Sequence, residues 1–274
     1  MPATGNKPYH PLSLSIRIHA DGFSFFVCDP QTSSLVRGEH FRCTESVPLA
    51  QQLMQELTRP DYFNRQIDQA YVLICSPSTR VPLEEFHRDE ATAFYAFTFA
   101  QEDMSSSRVA YTIQPQLESV ELYAIPKDVE EAILQFYPTA RFFASRAMLM
   151  ERLLHFDADD DSPNKRLYLC PEQGGFSLFA FEEGHLQVAN TFSVKALPDA
   201  IYYALNTWQA LGFQARVDRL IICSSAPQDE LRKALAEYIL HVDQLRDEDL
   251  FPRAPLTREK EVPADLKALL LNRL

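Results

Sequence analysis

The chain has 274 residues, 46% apolar and 23% charged, which supplies a sizeable core and suits one large or two medium domains. Its net charge of −12 and pI near 5.0 count against nucleic acid and anionic membranes, since both partners need clustered Lys and Arg. No apolar run approaches the ~20 residues of a spanning helix, no apolar leader core precedes residue 14, and none of the five cysteines forms a CxxC pair, so the chain reads as cytoplasmic, with cysteines acting as small buried hydrophobes in a reducing compartment.

In chain order, alternation predicts a strand over residues 12–18, a glycine turn, and strands over 23–28 and 35–43. A helix is predicted from Pro48 to Leu57, with Leu49, Leu53, Met54 and Leu57 on one face and Pro60 as its stop. An apolar strand over 70–75 follows. The middle of the chain reads as a helix over 84–99, strands over 109–113 and 120–124, a helix over 126–136, a short strand over 140–143 and a helix over 145–154. The acidic run 157–165 reads as a solvated linker; it lacks the central glycine and distal Glu of a calcium loop. Strands over 166–170, 176–181 and 186–194 come next, then a helix over 198–211 with Gly212 at its C-cap. A strand over 220–223 and a helix over 227–238 precede a charged, proline-containing tail from residue 251, which ends in an amphipathic stretch over 264–274.

An internal repeat runs through these elements. Gly22, Phe23, Ser24 and Phe26 match Gly175, Phe176, Ser177 and Phe179 at an offset of 153. Phe41 matches Phe192 at 151, Pro48 matches Pro198 at 150, and Ile74-Cys75-Ser76 matches Ile222-Cys223-Ser224 at 148. Each copy reads as a three-stranded meander, a helix and a parallel strand, so a βαβ crossover follows each meander. Such a unit is ribonuclease-H-like, and two in tandem imply an α/β protein with an actin-like ATPase fold: two lobes of mixed sheet flanked by helices. The expected organisation is a first lobe over 1–156 with an inserted middle segment, a linker over 157–165, a second lobe over 166–250 and a tail over 251–274.

The segments LSIRI from Leu14, DGFSF from Asp21, VELYAIP from Val120, NTFSV from Asn190 and DAIYYA from Asp199 resemble the DUF3822 family, known mainly from Bacteroidetes. The resemblance covers residues 12–242. It implies the actin-like fold and no assigned activity, and it supplies no catalytic residues.

The residue types that such a fold needs for ATP are altered at three places. Phosphate loops need glycine for close backbone approach, an acid for a metal-bound water and a small hydroxyl residue. The first hairpin offers Asp21, Gly22, Phe23 and Ser24, with a bulky Phe where a small residue is wanted. The second offers Glu172, Gly174, Gly175, Phe176 and Ser177 without a following Thr. Ser224 and Ser225 stand where the adenosine side would place paired glycines. Gly22 and Gly175 read as turn glycines kept for positive φ, and Phe23 and Phe176 as candidates to fill the interlobe cleft. An altered cofactor-binding cleft would be lined by Asp21, Gly22, Ser24, Gly174, Gly175, Ser177, Ser224 and Ser225. No cofactor or metal is expected. A two-metal nuclease is disfavoured because the first strands, 12–18 and 166–170, contain no Asp or Glu. Neither HExxH nor GxSxG occurs. The reading is a non-catalytic actin-like scaffold or interaction protein that binds protein or self-associates, with an atypical actin-like ATPase as the alternative. Tyr202 and the Phe-rich stretch 93–99 are candidate exposed surface, and Trp208 is a core residue.

Overall fold

The computed structural model describes residues 11–19, 21–44, 46–59, 67–100, 104–159, 165–172, 175–194, 196–251 and 253–271. Pro60, Asp160, Asp161, Gly174 and the last three residues of the expected terminal helix lie outside them. The chain forms two compact units, Met1–Leu149 with Ala254–Leu274, and Met150–Arg253.

In the first unit, β1 (Leu12–His19), β2 (Gly22–Asp29) and β3 (Ser34–Arg42) make the antiparallel meander. Alternation along β1 puts Leu14, Ile16 and Ile18 opposite Val27, Phe25 and Phe23 on one face, and leaves Ser13, Ser15 and Arg17 on the other. Helix α1 (Leu49–Leu57) buries Leu53 and Leu57 and leads to β4 (Ile67–Ile74), parallel to β1. The chain then leaves this sheet for β5 (Ser78–Pro82), α2 (Ala91–Thr98), β6 (Ser107–Gln114) and β7 (Ser119–Pro126), which form a separate three-stranded sheet ordered β5-β7-β6. It returns through α3 (Lys127–Phe136), packed on α1, to β8 (Arg141–Ala144), parallel to β4. The main sheet reads β3-β2-β1-β4-β8.

Strand β7 is buried on both faces. Val120, Leu122 and Ala124 pack with Tyr95 of α2, whose hydroxyl donates to the Pro77 carbonyl at 3.0 Å. On the opposite face Glu121, fully buried, accepts from Arg146 Nε at 2.9 Å and from Ser78 Oγ at 2.5 Å, with Arg80 Nε 3.8 Å away. A buried carboxylate requires such partners, because its desolvation is otherwise uncompensated.

Helix α4 (Ser145–Ala158) follows β8. The second unit repeats the order: β9 (Arg166–Glu172), β10 (Gly175–Glu182) and β11 (His185–Ser193), then α5 (Leu197–Ala210), β12 (Arg219–Cys223), α6 (Asp229–Ala236) and β13 (His241–Leu245). The sheet reads β11-β10-β9-β12-β13. Leu167, Leu169, Phe176 and Leu178 pack under Ala204 and Trp208 of α5 and Leu231 and Leu235 of α6. Helix α5 ends as its glycine predicts. Gly212 takes φ +67°, its N–H donates to Gln209 O, and the Phe213 N–H reaches back to Trp208 O, both at 3.1 Å. The Trp208 and Phe213 rings, 4.7 Å apart, complete that cap.

Several expectations need correction. The helix read over 84–99 is two 3₁₀ turns, Leu83–Glu85 and Arg88–Glu90, followed by α2 alone. Strands β5 and β13 were not anticipated. Asp157, assigned to the solvated linker, is on α4 and 1% exposed; it pairs with Arg166 at 2.5 Å and accepts from Tyr168 Oη at 2.8 Å. The terminal segment, read as a tail apart from both lobes, groups with the first unit after α7 (Asp247–Leu250). There Leu256 N–H donates to Ser33 O at 2.9 Å. Helix α8 (Ala264–Leu271) is buried from Asp265 through Leu270, so no amphipathic face survives. Its Asp265 accepts from Arg17 Nε at 2.8 Å and from Ser145 Oγ.

The third identity block is also displaced. Strand register sets Leu14 against Ala70 and Leu167 against Leu220, an offset of 150 between β4 and β12, not 148. Ile74-Cys75-Ser76 and Ile222-Cys223-Ser224 therefore occupy positions two residues apart in the repeat.

Candidate functional site

The predicted site residues fall into two groups, Asp21, Gly22 and Ser24 in the first unit and Gly175, Ser177, Ser224 and Ser225 in the second. Gly174 lies outside the described residues.

Gly22 opens β2 opposite Arg42, and Gly175 opens β10 opposite Ser193. A Cβ on Gly22 would stand 2.0 Å from the Phe41 carbonyl oxygen, and one on Gly175 would stand 2.1 Å from that of Phe192. Gly22 has φ +152°, whereas Gly175 is not among the positive-φ glycines. The requirement shared by both repeats is thus close approach of the third strand, not the positive φ expected of a turn. The next residues repeat as well. The Phe23 ring stacks on Phe41 at 4.9 Å, and Phe176 on Phe192 at 5.4 Å. Phe23 is 1% exposed and Phe176 belongs to the second unit's own core. Alternation turns both rings to the apolar face of their sheets, so each packs against strands of its own unit.

Ser24 and Ser177 point to the opposite face, and each is buried. Ser24 Oγ lies 2.8 Å from His40 Nδ1. Ser177 Oγ donates its proton to Glu172 Oε1 at 2.5 Å, so the 2.8 Å bond to Thr191 Oγ1 must be donated by Thr191. His40 and Thr191, each opposite its serine in the register, and Glu172 were not singled out as serine partners in the sequence; antiparallel register would have found the first two. His19 lies at the end of β1 near Asp21. Burial first, then the Arg17 guanidinium, pushes its imidazole below the ordinary value, with Asp21 and Asp265 opposing and His40 adding to the depression.

Ser224 and Ser225 follow β12. Ser224 Oγ accepts from the Ala226 N–H at 3.2 Å and from Gln228 Nε2 at 3.4 Å, while Ser225 Oγ accepts from the Asp247 N–H at the start of α7 at 3.2 Å. Gln244 Nε2 donates to the carbonyls of Ser224 and Ala226 at 2.8 and 2.9 Å. Both hydroxyls thereby satisfy loop and helix-start N–H groups. Among the described residues no group of three or more His, Cys, Asp or Glu side chains is placed to hold a metal ion, and no helix is long and apolar enough to cross a membrane.

The family model "Protein of unknown function (DUF3822)" matches residues 7–242. No curated protein matches the sequence. Among solved structures, a Bacteroides thetaiotaomicron protein with actin-like ATPase fold and unknown function is similar at 24% identity, covering 96% of each chain with a TM-score of 0.79. The PilM-PilN type IV pilus biogenesis complex matches at 13% identity, covering 94% of this chain and 97% of that one, with a TM-score of 0.52. These likenesses show the fold: two lobes of mixed sheet flanked by helices, as in actin-like ATPases.

Proposed function

This chain belongs to the DUF3822 family of unknown function, and from that premise we propose that it is a non-catalytic actin-like protein whose role is to bind another protein. The supporting observation is the engagement of the would-be nucleotide groups by the fold itself. Ser24 is held by His40, Ser177 by Glu172 and Thr191, and Ser224 and Ser225 by backbone N–H groups. Gly22 and Gly175, which a phosphate loop would use for its own close approach, serve strand packing. A phosphate would have to displace these bonds, each worth roughly 0.5–1.5 kcal/mol net, before gaining any of its own.

A protein partner is supported by Phe97 on α2, which is 88% exposed while its neighbours Phe94, Tyr95 and Phe99 pack inward. The similar PilM fold is seen in a complex with PilN. Thermal unfolding with and without Mg-ATP tests the reading. The expected outcome is an unchanged Tm at millimolar nucleotide. Saturable binding at 100-fold excess over Kd would add ~2.7 kcal/mol of stability, and a shift of that size would establish the nucleotide-binding alternative instead.

A further inference from the structure

Strands β9 and β12 are parallel neighbours whose register pairs Arg166 with Arg219, Leu167 with Leu220, Tyr168 with Ile221 and Leu169 with Ile222. One step further, Cys170 and Cys223 stand opposite each other, and both are still within their strands. Alternation puts both thiols on the face of Arg166 and Tyr168, away from the Leu167, Leu169 and Ile222 core. Adjacent strands run about 4.7–4.9 Å apart, which falls inside the ~4.4–6.8 Å Cα separation of a disulfide.

The two thiols differ in access. Cys170 is 3% exposed, whereas Cys223 is half-buried at the last residue of β12. Burial, and after it the neighbouring Cys223 and Glu172, holds the Cys170 thiol well above the ordinary cysteine range. An oxidant therefore meets Cys223 first, and Cys170 waits as a protonated neighbour. The remaining cysteines, Cys28, Cys43 and Cys75, belong to the other unit.

We propose that Cys170 and Cys223 are a peroxide-responsive thiol pair in which Cys223 takes the oxidant and Cys170 closes a reversible disulfide. In the first step the Cys223 thiolate attacks hydrogen peroxide. The O–O bond breaks, Cys223 becomes a sulfenic acid, and the departing hydroxide takes a proton from solvent to leave as water. In the second step Cys170 sulfur attacks Cys223 sulfur and the S–O bond breaks. The hydroxyl leaves with the Cys170 proton as a second water. The two sulfurs lose two electrons, and the two peroxide oxygens gain them.

The full chain is treated with hydrogen peroxide, unfolded, alkylated and analysed by intact mass and peptide mapping. Alkylatable thiols should fall from the five of the reduced chain to three, with one peptide linking Cys170 to Cys223, and dithiothreitol should restore all five. The half-buried position lets C223S be made with least disturbance of the core; it should keep its four thiols under the same treatment. In C170S, Cys223 should stop at a sulfenic acid that dimedone traps. If C170S does not fold, the wild-type peptide map and C223S decide alone. Retention of five thiols after peroxide, a link between other cysteines, or Cys223 carried to the sulfinic acid with Cys170 still free would each overturn the proposal.

Discussion

The polar face of the second sheet is closed by Asp157, which holds Arg166 and Tyr168 in a nearly dry cluster; the matching face of the first sheet is closed by Asp265, which holds Arg17 and Ser145 in a wetter one. The arginine side chains are 3% and 21% exposed respectively. In both repeats the carboxylate arrives on a helix beyond the strands of the unit, α4 in one case and α8 in the other. Duplication thus preserved strand order and the demand for a capping carboxylate, while the carboxylate itself comes from unrelated sequence. The difference in burial sets the expected energetics. Removing one partner of a buried pair leaves the other charge desolvated and costs ~3–5 kcal/mol. D157A should therefore lower the urea midpoint by a corresponding amount. D265A should cost less than half as much, because water reaches the Arg17 it leaves behind. Equal losses from the two variants would mean that burial of the cation does not control the anchor.

The repeat-related glycines probe the part of the comparison that was kept. G22A and G175A each place a methyl carbon about 2 Å from a carbonyl oxygen of the third strand. Strand β3 or β11 would have to move away, at ~1–3 kcal/mol for each variant. Unfolding free energies from denaturation should show the larger loss in G22A, because only Gly22 also has a φ of +152° that a side chain adopts under strain. Equal losses would show that close approach of the third strand alone sets the cost.

What could be read from sequence was whatever depends on local pattern. The alternation in LSLSIRIH and the glycine after Leu211 reflect one strand and one helix end, and both stand where the pattern predicts them, whereas Gly22 and Gly175, read as turn glycines, open strands β2 and β10. Register between strands joined by a helix was not legible. Ile-Cys-Ser recurs in the sequence, yet hydrogen bonding sets β12 two residues away from that match. The Asp157 partners escaped for a similar reason: an acidic run reads as solvated until a strand brings an arginine and a tyrosine beneath it. Helix α8 defeated periodicity because it is buried from Asp265 through Leu270, Lys267 included at 1% exposure, so a stretch read as amphipathic has no solvent face there. At the candidate site, His40 lies 16 positions from Ser24, Thr191 14 from Ser177 and Asp247 22 from Ser225, so these partners depend on tertiary pairing, whereas Glu172 and Ala226 are local partners of Ser177 and Ser224, 5 and 2 positions away.

The smallest effect tests a position where the hairpins differ in titrating chemistry. Gly22 pairs with His19 in the first repeat, and Gly175 pairs with Glu172 in the second. The His19 imidazole sits below its ordinary value, chiefly through burial and Arg17. Above the unfolded value near 6.5 it is neutral in both states and contributes nothing. As pH falls through ~6.5 the unfolded chain takes up a proton that the folded chain resists, so stability is lost, and the loss is complete only below the lowered folded value. H19Q removes that linkage. Its unfolding free energy should therefore decline less steeply than that of the native chain between about pH 7 and 5, with the two curves parallel above pH 7. Because Asp21 and Asp265 favour the charged imidazole while Arg17 and His40 oppose it, D265A should deepen the acid-side loss of the native chain and leave H19Q unaffected in slope. Parallel curves for the native chain and H19Q over the whole acid range would show that His19 is not held neutral by the fold.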